Sequence, residues 1–397
     1  KTALQMEMSP INVNFSYTRV PSTQFSELLL CLLFLKNYQF KIMYVIGIVN
    51  VLMAHTHATE FLFLNEMIHY AGYTIAIFVF VSGYFYNAKS ESNIPAYISK
   101  KFLKLIIPLY LWNLFYALVI LVLERFGFSF GGQVTVKRVL LSPMIGAHLM
   151  SFNDPAWFIV PLFVTEVYNV CVRKVVSKFS SNKTDLGLLI FHFLVGFAGV
   201  AMAEKGLNKG WWLFLTRFMY FIPFFSLGYF YKNYLEKKDT LPSFWYFSII
   251  LTVALIIILV YGHASAYSIV IMDENFFENP VLPFISGILG VAFYLRIARI
   301  LTPVIGRSKM LNVVADNTFS IMMNHILGIF ILKALFLLAC KFLPMLPEFS
   351  MELFKNDIAY IYLPRGRGFP LLYVFFGAFI PIVMQKVILM VKKFFCK

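Results

Sequence analysis

Charge is scarce in this chain. Of 397 residues only 13% are Asp, Glu, Lys or Arg, about half of the ~25% common in soluble globular domains. With 60% apolar residues and 45 Phe, a water-soluble fold would leave a large apolar surface in water. An ordinary soluble enzyme and a disordered chain are both excluded. Cysteine is scarce as well. Cys31, Cys171, Cys340 and Cys396 share no CxxC-like spacing, which excludes a disulfide scaffold and supplies neither a zinc knuckle nor a redox pair. There is no Walker loop and no GxGxxG behind a strand, which disfavours ATP hydrolysis and a Rossmann cofactor. Ten-residue segments of strict alternation are also missing, which disfavours a transmembrane β-barrel.

What is there is an all-α polytopic membrane protein, with mean hydropathy +0.77. Ten apolar stretches approach the ~20 residues that cross ~30 Å of hydrocarbon. They are 38–57, 70–87, 103–123, 156–172, 185–203, 212–231, 244–262, 280–299, 317–339 and 370–391. Residues 1–36 read as an N-terminal tail, with the short run 28–35 lying at the interface or lengthening the first helix. Most of the 34 Lys and Arg, 23 of them, fall in alternate connections: Lys1, Arg19, Lys36 and Lys41; Lys89, Lys100, Lys101 and Lys104; Arg173, Lys174, Lys178 and Lys183; Lys232, Lys237 and Lys238; Arg296, Arg299, Arg307 and Lys309; Lys386, Lys392, Lys393 and Lys397. This positive-inside asymmetry puts both termini in the cytoplasm, as an even number of spans requires. The formal charge of +15 therefore needs no nucleic-acid partner. Two long loops on the other side, 124–155 and 340–369, hold Gly127, Gly131, Gly132, Pro143, Asp154, Pro344, Pro347, Pro364 and the run Arg365-Gly366-Arg367-Gly368. Loops of that length either carry function or merely cap a bundle.

Ionisable groups are costly in hydrocarbon and usually face a cavity or a partner. His55 and His57 lie at the outer part of the first stretch, Glu166 and Asn169 in the fourth, His192 in the fifth, Arg217 in the sixth, and Asn324, His325 and Lys333 in the ninth. A neutral imidazole at His55 suits a general base, because histidine titrates near working pH. Spacing alone equally allows a histidine bonded to water at a helix end. Residues two apart on a helix diverge, so His55 and His57 give no metal site. Glu166, paired with Arg217 or a histidine, suits the orienting of a base; the other reading is a helix–helix ion pair. Lys100, Lys101 and Lys104 suit phosphate groups or, equally, anionic lipid headgroups.

Four patterns in order resemble the acyltransferase 3 family of integral membrane proteins. They are YVIGIVNVLMAH ending at His55, FVFVSGYFYN (78–87), KKFLKLIIPLYLW (100–112) and NTFSIMMNHILG (317–328). PAWFIVPLF (155–163) and PFFSLGYFYK (223–232) fall between them at family-like positions, so the likeness spans about 36–393. Four positions depart from the family pattern. Tyr44 stands where Arg or Lys is usual, with Lys41 the nearest cation. Lys101-x-x-Lys104 replaces Arg-x-x-Arg, and lysine cannot grip phosphate bidentately. Met322 takes the place of a Tyr.

The resemblance implies an acyltransferase-like transmembrane domain over 37–393, in the cytoplasmic (inner) membrane of a bacterium. It implies transfer of an acyl group, commonly acetyl, from cytosolic acyl-CoA to a hydroxyl of a cell-surface or lipid-linked glycan. In that reading Lys100, Lys101 and Lys104 hold the coenzyme A phosphates, and the thioester arm passes Ser82 and Gly83. His55 is the general base, or carries the acyl group covalently as a relay, and Glu166 or Arg217 orients it. His325, Trp157 and Lys41 are further candidates, and no metal is expected. A secondary transporter or flippase of a glycan or lipid intermediate is the alternative, since intramembrane His, Glu and Arg suit a proton relay.

Overall fold

The computed structural model describes residues 22–130, 133–145, 149–179, 182–262, 279–343, 346–364 and 368–395. Among these residues there is no strand. The helices are α1 Ser22–Ala54, α2 Tyr70–Tyr84, α3 Ile94–Lys101, α4 Ile107–Glu124, α5 Ile159–Val176, α6 Asn182–Glu204, α7 Trp211–Phe230, α8 Ser243–Tyr261, α9 Leu282–Ile305, α10 Lys309–Asp316, α11 Thr318–Phe342, α12 Met351–Asn356 and α13 Phe369–Phe395. Among the described residues eight continuous helical segments are long and apolar enough to cross a membrane; Tyr38–Ala54 and Tyr70–Tyr84 are shorter apolar helices. Each of the ten stretches read from the sequence coincides with one of these.

Several boundaries move. α1 reaches back to Ser22, so the run 28–35 lengthens the first helix, and the last part of the expected tail is helical. The same helix stops at Ala54, which puts His55 in the turn beyond it. The third span starts earlier than its apolar run, because α3 leads into α4 as one segment, Ile94–Glu124. Lys1, Arg19, Gly131, Gly132, Pro344, Arg365, Gly366, Arg367, Cys396 and Lys397 lie outside the described residues.

Burial separates a central helix from peripheral ones. In α2 (YAGYTIAIFVFVSGY) twelve of fifteen residues are buried, so α2 is enclosed by protein. It packs on α1, α7 and α9. In α8 (SFWYFSIILTVALIIILVY) only Ile250, Ala254 and Ile257 are buried, although almost every residue is apolar. The other side chains are half-buried or exposed, Phe244, Ile249, Ile256 and Leu259 among the exposed. A helix apolar all round but buried on one stripe fits a lipid surroundings and not water.

Two local devices set the inner geometry. Where α2 crosses α7, a Cβ on Gly83 would stand 1.9 Å from the carbonyl oxygen of Phe225, and one on Gly228 would stand 2.0 Å from that of Phe80. The two backbones are therefore in contact, as small residues allow between membrane helices. Between α3 and α4 the chain widens into a π-helical turn, Phe102–Ile106. Its cause is Pro108, which has no N–H to give to the carbonyl four residues back and whose ring crowds that carbonyl. The carbonyl in question belongs to Lys104.

Candidate active site

Three cavities lie in series through the bundle. The first, about 600 Å³, is a vestibule lined by Lys89, Lys100, Lys101, Lys104, Asn87, Ser90, Asn93 and Tyr97, with Tyr44, Ser82 and Glu166 deeper in. The second, about 330 Å³, shares Tyr44, Ser82, Lys101, Lys104 and Glu166 with the vestibule. Its remaining wall is mostly apolar: Phe78, Leu105, Phe158, Ile159, Leu162, Phe319 and Met322. The third, about 470 Å³, sits at the opposite end of α1 and α2. His55, His57, Tyr70, Thr74, Ser151, Asp154 and Trp157 line it, with Met322, Ile326 and Ile329 from α11. Met322 borders both the second and the third.

The three-residue spacing of Lys101 and Lys104 does place both on one wall. The Lys101 ammonium donates to Glu166 Oε1 at 2.6 Å. Glu166 itself is buried, and its Oε2 has no hydrogen-bond partner among the described residues. An unpaired carboxylate there would be costly, so the Lys101 pairing is what holds it. Glu166 thus belongs to the basic cavities and is not on the wall that His55 lines, which removes it as the group that orients His55. The ion pair it makes is with Lys101, in place of the pairing with Arg217 or a histidine expected for a base-orienting role. Arg217 lies over the Trp157 ring, 3.8 Å from its centroid. That indole is on the wall of the histidine cavity, and Arg217 stands behind it.

His55 is exposed and lines the third cavity. Its N–H still bonds to the Val51 carbonyl, so the helix end fixes its backbone. Enclosure by protein lowers its pKa from the usual imidazole value, and the Asp154 carboxylate opposes part of that shift. The neutral ring is therefore favoured, with an acidic group at hand. Beside it stands His325 of α11, with ring centroids 5.2 Å apart. His325 is fully buried. Its Nδ1 lies 3.0 Å from the Ile321 carbonyl and 3.1 Å from that of Met322, so that nitrogen carries the proton. Nε2 is then a lone-pair acceptor, and it has no partner among the described residues.

The remaining candidates take other places. Ser82 lines the first two cavities while donating to the Phe78 carbonyl at 2.8 Å. Gly83, expected beside a donor arm, has its space taken by the α7 backbone instead. Lys41 is held by Asp316 and Asn312, both at 2.9 Å, and Asp316 lines the middle cavity. His192 is packed between Ser226 and Tyr168, and Asn169 accepts from Arg173 in a network that continues to Asp185. Lys333 is fully buried and donates to the Ile358 carbonyl at 2.8 Å. Ile358 and Ala359 roof the histidine cavity, so this lysine ties the second long loop over the site. Sequence reasoning finds that loop by its length but not Lys333's part in it, and it finds Asp154 only as a turn residue. A fourth element, the pairing of His55 with His325, joins positions 270 residues apart that no local spacing connects.

The model of a family, described as an acyltransferase domain, matches residues 37–384. No curated protein and no solved structure matches the chain.

Proposed function

Because the chain belongs to the acyltransferase 3 family and is a multi-pass membrane acyltransferase, we propose that it moves an acyl group, acetyl in the family's usual case, from acyl-CoA to a glycan hydroxyl with His55 as general base. The observation that carries this reading is the series of cavities. A lysine-lined vestibule adjoins an apolar chamber, which shares the Met322 wall with a chamber lined by an imidazole. Lys100, Lys101 and Lys104 attract the donor's phosphates, each as a point charge. An ammonium has three donors, so Lys101 keeps its bond to Glu166 and still offers two. On this reading the basic end faces the cytosol, where acyl-CoA is found, and the histidine cavity receives the acceptor from the other side.

The acceptor hydroxyl gives its proton to His55 while its oxygen forms a bond to the thioester carbonyl carbon. The tetrahedral intermediate collapses, the carbon–sulfur bond breaks, and the thiolate leaves. The proton on His55 then passes to that sulfur, which restores the neutral ring. A thiolate leaves readily because thiols are far more acidic than alcohols. His325 takes the positioning role in place of Glu166 and Arg217: locked by two backbone carbonyls, it gives His55 a fixed neighbour. Trp157, held from behind by Arg217, offers an aromatic wall for the acceptor sugar.

The test uses purified full-length protein in lipid, radiolabelled acetyl-CoA and a surface-glycan acceptor. Wild type releases free CoA and labels the glycan. His55→Ala, expressed at the same level, loses at least the ~10²-fold that a positioned base contributes. Lys101→Ala with Lys104→Ala raises KM for acetyl-CoA and leaves KM for the glycan nearly unchanged. An active His55→Ala enzyme, or equal changes in both KM values, contradicts the assignment.

A further inference from the structure

We propose that Met322 is a one-residue valve between the donor and acceptor chambers: its side chain closes the passage at rest and swings aside only for a slender arm coming from the basic end. Met322 is the residue common to the walls of the middle and histidine cavities, and its side chain is buried, at 2% exposure. Both chambers end on it. Opposite α11, the middle chamber has a wall that cannot easily move. The Phe78 and Phe158 rings are stacked, with centroids 5.8 Å apart, and Tyr44 lies against Phe78 at 6.0 Å. All three contribute to that chamber. Against rigid rings, the flexible partner is the methionine. It is unbranched, has three rotatable side-chain bonds, and adapts to irregular gaps.

The backbone at this point is as fixed as the side chain is free. The Met322 carbonyl accepts from His325 Nδ1, one helical turn on, and His325 is packed against His55. The side chain can therefore turn without disturbing the imidazole pair. A closed valve keeps water and protons of the acceptor chamber away from the lysine-lined vestibule, and it keeps a bound thioester dry until the arm has passed. The partition rests on geometry alone, whereas the identity of what passes rests on the donor reading above.

The two parts are tested separately. For the partition, the four cysteines are replaced by serine and a single reporter is introduced into the full-length protein in sealed vesicles. Ala315→Cys reports on the middle chamber and Ala54→Cys on the histidine chamber. A small impermeant methanethiosulfonate should modify each reporter from one side only, and from opposite sides. Adding Met322→Ala should make each reporter react from both sides, at least tenfold faster on the formerly closed side. Met322→Leu should preserve the one-sided pattern. Two-sided labelling with Met322 intact, or one-sided labelling after Met322→Ala, overturns the valve.

For the passage, Met322→Trp should bind radiolabelled CoA within twofold of wild type yet release CoA from acetyl-CoA at least tenfold more slowly. Wild-type release rates in Met322→Trp overturn the valve, as does loss of CoA binding, which would make Met322 part of the donor site. A wild-type protein that neither binds CoA nor discharges acetyl-CoA defeats the donor reading, and the labelling result then decides the partition by itself.

Discussion

His55 and Asp154 make the clearest case at the level of single residues. Burial lowers the imidazole pKa and the carboxylate raises it in part. Catalysis needs the unprotonated ring, so activity is lost as pH falls through that pKa, and the acid limb lies below the ordinary value near 6.5. Asp154→Asn removes the negative charge that raises the pKa while keeping an amide oxygen for the Leu149 N–H that Oδ1 now accepts. The limb should move to still lower pH, read from kcat/KM for acetyl-CoA; a shift to higher pH would contradict the arrangement. How much of this could be read from the residues alone divides by chemistry. Histidines are few, and an ionisable group in an apolar run announces itself, so His55 and His325 are both found. Partners are not, because pairing depends on which helices meet. Glu166 is visible in an apolar run, but Lys101 as its partner lies 65 positions away.

Individual helices follow from composition more closely than their contacts do. Ten apolar runs become ten helices because a backbone in hydrocarbon must satisfy its own hydrogen bonds. The ends shift where apolar content and helix length part company, as at Ser22 and at Ile94. Pro108 is legible as a helix-disturbing residue; that its effect is a widened turn carrying Lys104 is not. Gly83 shows the same limit. A small residue before an aromatic pair signals close approach, yet nothing local says whether a ligand or a helix approaches. It is a helix, with the Phe225 carbonyl in the way of any Cβ. Gly83→Leu should force α2 from α7 and cost at least the ~1–3 kcal/mol of an overpacked core. The check is a lower apparent Tm of the purified protein, with Gly228→Leu giving a similar fall. An unchanged Tm would mean that the two helices do not meet there.

Taken as a whole, the molecule is open at a basic end and roofed at the other by a loop that returns to the bundle. Lys333 holds that roof through the Ile358 carbonyl. Lys333→Met keeps the length of the side chain and removes a buried charge, so the bundle should fold. What it loses is the tie: amide exchange over 357–360 should quicken, and KM for the acceptor should rise while KM for the donor stays. Unchanged exchange would show that the loop is held by its apolar contacts. The three chambers have a consequence of their own. Tyr44, on the wall of the first two, and His55, on the wall of the third, are eleven residues apart, about 16 Å along a helix. A compact activated acyl compound such as acetyl phosphate can satisfy the lysines or meet the imidazole, but it cannot do both at once. Only a molecule with its charged head and its reactive carbonyl separated by a tether spans that depth, so length itself becomes a criterion by which the protein accepts or refuses a donor. Acetyl phosphate at any concentration should yield no acylated glycan, measured by label incorporation, where acetyl-CoA does.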